Sequence, residues 1–399
     1  MLQQLKYHED IASWLNSTEQ GVWDWFSNRK LQDDQDVETR DLLLQQTVRL
    51  SRETHGSAYD CCEAAMARLG VEAPLTLYQA GDGAMNAALF YIPGEVHVVL
   101  YGPVLEKLSE TELTALFGHE VSHYLLWTLG NRRYRIAQQI IDDAVQQSSG
   151  DYTLYETARL YLLATEAFAD RGAALACGET GPTAGPAIAV LLKVMTGLAE
   201  TDPSAFLEQA AELDAKGEIS KNQTHPEVYL RALFIDRWCR ESGEASGDGI
   251  DDWVMSKLKG PMAIGQLDLI DQARLNSLTR QFFARLLRDS ELASDMTVTQ
   301  VKQFFPDWAI DEPSIDPEVL KAEADDKSLR DYFIALIFDI AHADPEQTEE
   351  VLIRGAKLAS SVEWEEEYRA NLKALLKMRK PQIDRILRAS ESVAWEISQ

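Results

Sequence analysis

Residues 109–130 read SETELTALFGHEVSHYLLWTLG, a run that is long enough and apolar enough to form a buried helix. Ser109 followed by Glu112 matches a capping box, in which the serine oxygen accepts a backbone amide and the glutamate accepts the serine amide. Large apolar side chains then fall on more than one face of the predicted helix, which is typical of a helix packed on several sides. Gly130 is expected to end this helix.

The same stretch contains the pattern His119-Glu120-Val121-Ser122-His123. His119 and His123 are four residues apart, so both imidazoles project from one face of a helix and can share a metal ion. Glu120 can take a proton from a water molecule that the metal has acidified. The alternative is two histidines that merely decorate a helix, but burying such groups is costly unless they are paired or bound to metal. The motif therefore predicts one zinc ion per chain, with Glu120 as general base.

A catalytic zinc ion takes three protein ligands and keeps one open position, so a third ligand is needed. The metzincin pattern requires a glycine and a histidine where this chain has Leu126 and Leu129, which excludes that class. Asp142 and Asp143 lie about twenty residues after the motif, but their polar surroundings predict that they face solvent.

Glu166 and Asp170 are the better candidates for completing the site. They are four residues apart in TEAFADRGAALA, a segment whose small residues predict a tightly packed helix. Glu166 is predicted to be the third zinc ligand, and Asp170 to accept a hydrogen bond from the far nitrogen of a ligand histidine. An exposed acidic pair is the alternative, which the apolar neighbours disfavour.

Several local motifs, together spanning about residues 40–240, resemble the M48 family of metallopeptidases, which includes the CAAX-prenyl and Oma1-type proteases. The run VHVVLYGPVLEKLSETELTALFGHEVSH resembles the family's strand, connection and metal helix. The other matches are Asn86-Ala87 (substrate-binding edge strand), Glu166-x-x-Ala169-Asp170 (third-ligand motif), Thr224-His225-Pro226 (the THP motif) and Arg231 (an arginine six residues later).

This resemblance implies a gluzincin fold, zinc, and endoproteolytic cleavage of proteins or peptides. It also implies that Asn86 and Ala87 bind substrate, and that His225 and Arg231 support the oxyanion or the architecture of the active site. From the residues alone, His225 could equally cap a helix that starts at Pro226, and Arg231 could be an ordinary ion-pair arginine. Many members of the family have flanking transmembrane helices, and this chain shows none, so CAAX processing is not expected.

Composition limits the other possibilities. The chain has 399 residues, 45% of them hydrophobic and 26% charged, as in ordinary globular proteins. Its net charge of −27 repels phosphates, so neither nucleic acid nor a membrane is expected as a partner. With no signal peptide, no apolar stretch of about 20 residues and four scattered cysteines, the sequence predicts a cytoplasmic protein with free thiols.

The predicted fold class is α+β, with a mainly helical catalytic domain at 1–245 that carries a small sheet, and an all-α domain at 253–399. Alternating β-formers after Val71 predict the sheet, with a hairpin at Pro93-Gly94. Residues 241–252, rich in Gly, Ser and acid, predict a linker. Residues 1–70 are also predicted to be helical, further helices are predicted at 132–146, 152–176, 185–199 and 204–213, and another is expected after the turn at 222–226.

The C-terminal domain shows no catalytic constellation. Its segment LRDYFIALIFDIAHADPEQTEEVLIRGAKLA resembles TerB-like helical modules, and the domain is predicted to serve recognition, regulation or self-association. Three isolated histidines, His8, His55 and His342, are predicted to lie at the surface or to make local hydrogen bonds. His97, in a predicted strand, is given a structural role.

These observations together predict a zinc-dependent endopeptidase that hydrolyses protein substrates. The alternative is a latent or non-catalytic zinc-containing protein, such as a chaperone-like binder, whose metal site is covered. The intact Glu120 counts against a purely structural site, because such a site has no use for a base.

Overall fold

The computed structural model describes residues 2–81, 83–148, 150–241, 248–288 and 292–393. The chain divides into two compact units, Met1–Gly260 and Pro261–Gln399. Unit 1 is mainly helical with one four-stranded sheet, and unit 2 is helical throughout its described part. The predicted α+β class is confirmed. None of the described helices is long and apolar enough to cross a membrane.

The sheet of unit 1 is mixed and places one strand at an open edge. Its strands are β1 (Val48–Arg49), β2 (Leu75–Gln79), β3 (Asn86–Ile92) and β4 (Glu95–Tyr101), in the order β1-β2-β4-β3. β2 runs parallel to β4, whereas β3 and β4 form the predicted antiparallel hairpin through Pro93-Gly94. Gly94 has a φ of +82°, which the second central residue of a type II turn requires. Since β3 has a partner on one side only, its other edge is free to pair with an extended peptide.

Unit 1 also contains eleven described helices. They are α1 (Lys6–Thr18), α2 (Gln20–Phe26), α3 (Arg29–Gln46), α4 (Gly56–Leu69), α5 (Val104–Lys107), α6 (Glu110–Gln147), α7 (Tyr152–Ala176), α8 (Ala184–Thr196), α9 (Pro203–Asp214), α10 (Val228–Glu241) and α11 (Asp248–Leu258). The predicted helices at 152–176, 185–199 and 204–213 correspond to α7, α8 and α9.

The quoted stretch begins α6. Ser109 accepts a hydrogen bond from the amide of Glu112, and the Glu112 carboxylate accepts one from the Ser109 amide, so the predicted capping box is confirmed. Helical geometry is interrupted after Thr128, where Gly130, Asn131 and Arg132 all have φ between 55° and 69°. The first part of α6 therefore ends where Gly130 predicted, and the second part follows without a separate loop.

α6 and α7 pack closely because small residues meet at their contact. A side chain built on Gly172 of α7 would place its Cβ 1.6 Å from the Oγ of Ser122. A Cβ built on Gly118 of α6 would lie 2.4 Å from the Cβ of Ala176. Only glycine permits this approach, which brings the residues around Gly118 and Ser122 against the middle of α7.

Unit 2 is built around an apolar core that includes Phe282, Phe283, Trp308 and Phe333, all at most 1% exposed. After a short 3₁₀ helix (Ile264–Gln266), its helices are α12 (Leu269–Leu286), α13 (Asp295–Phe304), α14 (Pro317–Glu323), α15 (Lys327–Ala343), α16 (Thr348–Ser361), α17 (Glu365–Ala374) and α18 (Lys380–Glu391). The segment that resembles TerB-like modules forms α15, a turn and most of α16.

The division between the units follows α11, which belongs to unit 1. Residues 242–247 of the predicted linker lie outside the described residues, and residues 248–252 form the start of α11. The proposed roles of the two domains stay predictions.

Candidate metal centre

Two helices bring three metal-binding side chains together in unit 1. His119 and His123 lie one turn apart on α6, and Glu166 faces them from α7. One donor atom from each of the three lies within 4.8 Å of the others. The Nε2 atoms of the histidines are 3.3 Å apart, and the Glu166 carboxylate oxygens lie 3.4 Å from His119 Nε2 and 3.7 Å from His123 Nε2.

These separations fit a zinc ion. Tetrahedral zinc bonds of about 2.0–2.2 Å place neighbouring ligand atoms about 3.3–3.6 Å apart, close to the distances seen here. Oε2 of Glu166 is buried and makes no hydrogen bond within the described residues, although three cationic or imidazole groups lie near it. A buried carboxylate oxygen without a hydrogen bond is costly, and a metal ligand role would satisfy it.

Asp170 and Arg231 form a buried layer behind His119. Nδ1 of His119 lies 3.1 Å from Oδ1 of Asp170, so the ring donates its Nδ1 proton to the carboxylate and turns Nε2 towards Glu166. Arg231, on α10, donates from Nε to Oδ2 of Asp170 over 2.8 Å and from its Nη2 to Oδ1 over 2.6 Å. This two-point contact fixes the Asp170 carboxylate in one orientation.

Electrostatics within the cluster distinguish the two histidines. Burial alone would lower the pKa of His119, but the hydrogen bond to Asp170 and the charges of Glu166 and Asp170 outweigh it and raise the pKa to about 10. His123 lacks such a hydrogen bond, and burial lowers its pKa to about 4. Burial opposes ionisation of Glu166, but the adjacent charge of His119, with that of Arg231, holds its pKa well below the usual range. Without a metal, His119 therefore carries a proton on both ring nitrogens near neutral pH, and a metal ion would displace the proton on Nε2.

Glu120 lies beside the cluster without belonging to the group of donors. It is 6% exposed, and burial raises the pKa of its carboxyl above the ordinary value. The charge of His119 and the backbone of Leu89, in the edge strand β3, partly offset that rise. A buried carboxylate with a raised pKa, placed between the metal ligands and an open strand edge, suits a group that takes up and returns protons.

A cleft of about 410 Å³ contains the donor cluster and extends along β3. Asn86 and Ala87 line it at the start of the strand, as do His119, Glu120 and His123. A wall on the opposite side comes from α8, through Ala187, Val190, Leu191 and Val194. The predicted substrate-binding residues and the predicted metal ligands therefore share one cavity.

The two remaining predicted site residues, His225 and Arg231, differ in how far their side chains are exposed. The side chain of His225 is 58% exposed, lines the cleft and places its Nε2 3.5 Å from Oε2 of Glu166. Arg231 is 9% exposed, and both of its described hydrogen bonds go to Asp170.

Comparison with known families agrees with this geometry. Residues 60–239 match the family model described as peptidase family M48. Residues 60–239 belong to peptidase family M48. Membership implies a zinc metallopeptidase that acts on protein substrates, without specifying which ones. No curated protein matches the chain.

Some features of this M48 domain were not predicted from the sequence. The close contact of Gly172 with Ser122 explains why a small residue precedes His123, but nothing in the local pattern pointed to it. The wall from α8 and the ring of Trp127, 5.7 Å from that of His123, were also missed, because their distance from the site depends on the tertiary fold.

The prediction for His8 was wrong in one respect: this residue is fully buried. Its Nε2 lies 3.1 Å from Oγ1 of Thr165, the residue before Glu166, and its ring packs on Tyr161. α1 covers α7 at this point, an arrangement that a lone histidine near the N-terminus does not reveal. His97 has the predicted structural role, since its Nε2 contacts Glu95 over 2.9 Å and its Nδ1 contacts the Tyr78 hydroxyl over 3.2 Å.

Proposed function

We propose that this chain is a zinc-dependent endopeptidase whose catalytic groups all lie in unit 1. The observation that carries the proposal is the convergence of His119, His123 and Glu166 beside Glu120, in a cleft that runs along the open edge of β3. A structural metal site would not need a buried acid next to its ligands or a cleft leading to them.

His119, His123 and Glu166 would hold the zinc ion. Bound there, zinc supplies Lewis acidity, which polarises a peptide carbonyl and makes a water molecule easier to deprotonate. Glu120 takes the proton of the attacking water and later delivers it to the leaving amine. Its burial supports this role, because a raised pKa makes the carboxylate a better proton acceptor than an exposed glutamate.

The remaining polar residues have supporting roles. Asp170 orients His119 by accepting its Nδ1 proton, and Arg231 orients Asp170 by its two-point contact. This contact favours a positioning role for Arg231 over direct support of an oxyanion. His225, which is exposed at the cleft, is the residue we assign to hydrogen-bond the oxyanion that develops during attack.

The substrate would bind as an extended strand along β3. The free edge of this strand offers backbone donors and acceptors from Asn86 onward, and such pairing gives affinity for a peptide of many sequences. Asn86 and Ala87 therefore serve mainly through their backbone, at the end of the cleft where β3 begins.

The alternative function is a zinc-containing binding protein with a closed or covered site. In that case a fourth protein ligand, such as His225, would complete the coordination. The described donor cluster has three members and does not include His225, which favours a site with a position left for water or substrate. A latent enzyme whose cleft is covered by a partner would have the same zinc ligands as the proposed peptidase and would differ from it only in activity.

Replacing Glu120 by glutamine tests the proposal. Glu120→Gln is expected to keep one zinc ion per chain and to reduce cleavage of unfolded casein by at least about 100-fold, the usual range for loss of a general base. Glu208→Gln, which changes an exposed acid on α9, is the matched control and should retain full activity. Cleavage by Glu120→Gln at the wild-type rate would contradict the assignment. A wild-type protein that binds zinc but cleaves nothing, alone or truncated after residue 260, would favour the alternative.

A further inference from the structure

Two arginines next to the interruption of α6 lack a carboxylate partner. Within the described parts of the chain, no carboxylate oxygen lies within 4.0 Å of the guanidinium of Arg132 or Arg135. Both groups instead lie against aromatic rings. Arg132 is 5.6 Å from the ring centre of Tyr91, and Arg135 is 5.8 Å from Tyr91 and 4.9 Å from Trp127.

Arg133, between them, shows what an ordinary arginine does in this chain. Its guanidinium forms an ion pair with Glu9 over 2.8 Å and donates to the hydroxyl of Ser13 over 2.6 Å. The chain contains 65 acidic residues, so carboxylates are abundant. Two partly buried guanidinium groups that face rings rather than carboxylates are therefore a feature that needs an explanation.

Their position connects them to the proposed substrate path. Glu120 interacts with the backbone of Leu89, and Tyr91 follows Leu89 by two residues on the same face of β3, about 7 Å further along the strand. Trp127 lines the cleft itself. A peptide paired with β3 would thus pass Arg135 and Arg132 as it leaves the metal site in the direction of the hairpin.

Space for such a peptide continues beyond Tyr91. A second cavity of about 750 Å³ is lined by Pro93, at the end of β3, and by Asn131, Arg132 and Arg133. Asp36 also lines this cavity, at a position where it contributes one negative charge. The first cavity is lined by β3 as far as Leu89, and the second meets the hairpin turn at Pro93, so a peptide that follows the strand edge would run from the first towards the second.

We propose that Arg132 and Arg135 form a subsite for a carboxylate of the substrate, two or three residues from the scissile bond on the side nearer the hairpin. The inference rests on the proposed function and adds to it a preference for acidic peptides. Guanidinium groups bind a carboxylate through parallel hydrogen bonds, and the rings of Tyr91 and Trp127 hold the two guanidinium planes in place.

The burial of Arg135 favours a carboxylate partner from outside this chain. Burial lowers the pKa of Arg135, and the charge of Asp142, two turns further along α6, only partly restores it. An incoming carboxylate would compensate this desolvated cation. The carboxylate could come from an aspartate or glutamate side chain or from the C-terminus of the peptide, and the two sources share the same chemistry.

The test compares peptides that differ in one charge. Quenched-fluorescent peptides are built around a site that the full-length zinc enzyme selects in unfolded casein, with an amidated C-terminus and Glu or Gln at two or three positions from the scissile bond on either side. We expect kcat/KM to be about tenfold higher for Glu at the favoured position, mainly through KM, and this preference to fall with added salt.

Variants then assign the preference to the two arginines. Arg132→Gln combined with Arg135→Gln should bring the Glu-to-Gln ratio close to one, whereas Arg240→Gln, at an exposed arginine of α10 that lines neither cavity, should leave it unchanged. Because the ratio is taken within each enzyme, a general loss of activity or stability cancels. Arg135→Lys, which keeps the charge, should retain part of the preference. A neutral peptide with a free C-terminus at the same position shows whether a terminal carboxylate is also accepted.

A Glu-to-Gln ratio near one in the wild-type enzyme, or a ratio that the double arginine variant leaves intact, would overturn the subsite. Should the chain cleave no peptide, the proposed function fails first, and the subsite is still tested by binding. Fluorescence anisotropy with the Glu120→Gln protein should then show tighter binding of the Glu peptide. Equal binding of both peptides would overturn the inference independently.

Discussion

Buried charged and polar groups are used differently in the two units of the chain. In unit 2 the buried acids of the described residues lie at helix ends: Asp268 caps the start of α12 and accepts the amide of Asp271 over 2.8 Å, and Asp344 follows α15 and accepts the amide of Glu346 and the hydroxyl of Ser294. The core beside them is apolar. In unit 1, side chains from α6, α7 and α10 face one another in mid-helix, and none of them serves as a cap.

The stability of the fold is enough to explain the buried acids at the helix ends of unit 2, but it does not explain the mid-helix cluster of unit 1. A helix cap stabilises the chain by about 1 kcal/mol and needs no ligand. A cluster of two histidines, three carboxylates and one guanidinium, brought together from three helices, loses hydration without gaining a regular backbone partner. Such a cluster is best explained by a ligand, here a zinc ion, that is absent from the unfolded chain.

The largest expected effect comes from the glycine contacts of the two units. Gly172→Ala would place a methyl group on Ser122, and Gly355→Ala in α16 would place one 2.4 Å from Cγ2 of Ile337. Each should lower the free energy of unfolding by about 1–3 kcal/mol, because overpacking forces side chains or backbone to shift. Only Gly172→Ala should also weaken zinc binding, since α6 carries His119 and His123.

Thermal unfolding and zinc titration check this pair of variants. Gly185→Ala, where a new Cβ meets nothing within 4 Å, is the neutral control. Equal zinc affinities for the Gly172→Ala and Gly355→Ala proteins would contradict the expectation that only the packing of unit 1 supports the metal site.

A smaller effect is expected from exchanging one buried aspartate in each unit for asparagine. Asp170→Asn removes the acceptor charge behind His119 and should reduce zinc affinity by about 10–100-fold, as is usual for groups that orient a ligand. Asp344→Asn should leave zinc affinity unchanged and cost about 1 kcal/mol of stability, the value of an ordinary side-chain hydrogen bond. Competition with a fluorescent zinc chelator measures the first, and denaturant unfolding the second. The comparison fails if Asp344→Asn affects zinc as strongly as Asp170→Asn.

His8 provides the smallest effect, because it is a buried group of unit 1 that does not face the metal site. Burial lowers its pKa from 6.5 to about 3, so the unfolded chain takes up the proton first as the pH falls. Its contribution to stability is complete above about pH 6.5 and is lost as the pH falls from there towards 3. The loss due to His8 should be about 1.4 kcal/mol between pH 8 and pH 5.5.

Urea unfolding at these two pH values, for the wild type and for His8→Gln, isolates this contribution as the difference between their pH dependences. The glutamine keeps a donor for Thr165 but does not titrate. Identical pH dependences for the two proteins would show that the burial of His8 has no such consequence.

The sequence was most informative where chemistry depends on neighbours along the chain. The capping box at Ser109, the helix around His119 and the hairpin at Pro93-Gly94 are each determined within a few residues, and all three were predicted. Glu166 was predicted from its spacing to Asp170 and from the resemblance to M48. The spacing alone would have left an exposed acidic pair open.

Contacts between distant segments could not be predicted in this way. The burial of His8 under α7, the approach of Gly172 to Ser122 and the rings beside Arg135 all join residues that are far apart in sequence. The bidentate contact of Arg231 with Asp170 belongs to the same class. Hydrophobic periodicity identifies a buried face of a helix without specifying which residue it meets.

The central claim is that His119, His123 and Glu166 hold one zinc ion, and zinc stoichiometry by elemental analysis of the purified full chain tests it most directly. The account predicts one zinc per wild-type chain and per Glu120→Gln chain, and none after dialysis for Glu166→Ala or His123→Ala, with the exposed-acid variant Glu208→Ala retaining its zinc. A Glu166→Ala protein that is folded and keeps a full equivalent of zinc would contradict it.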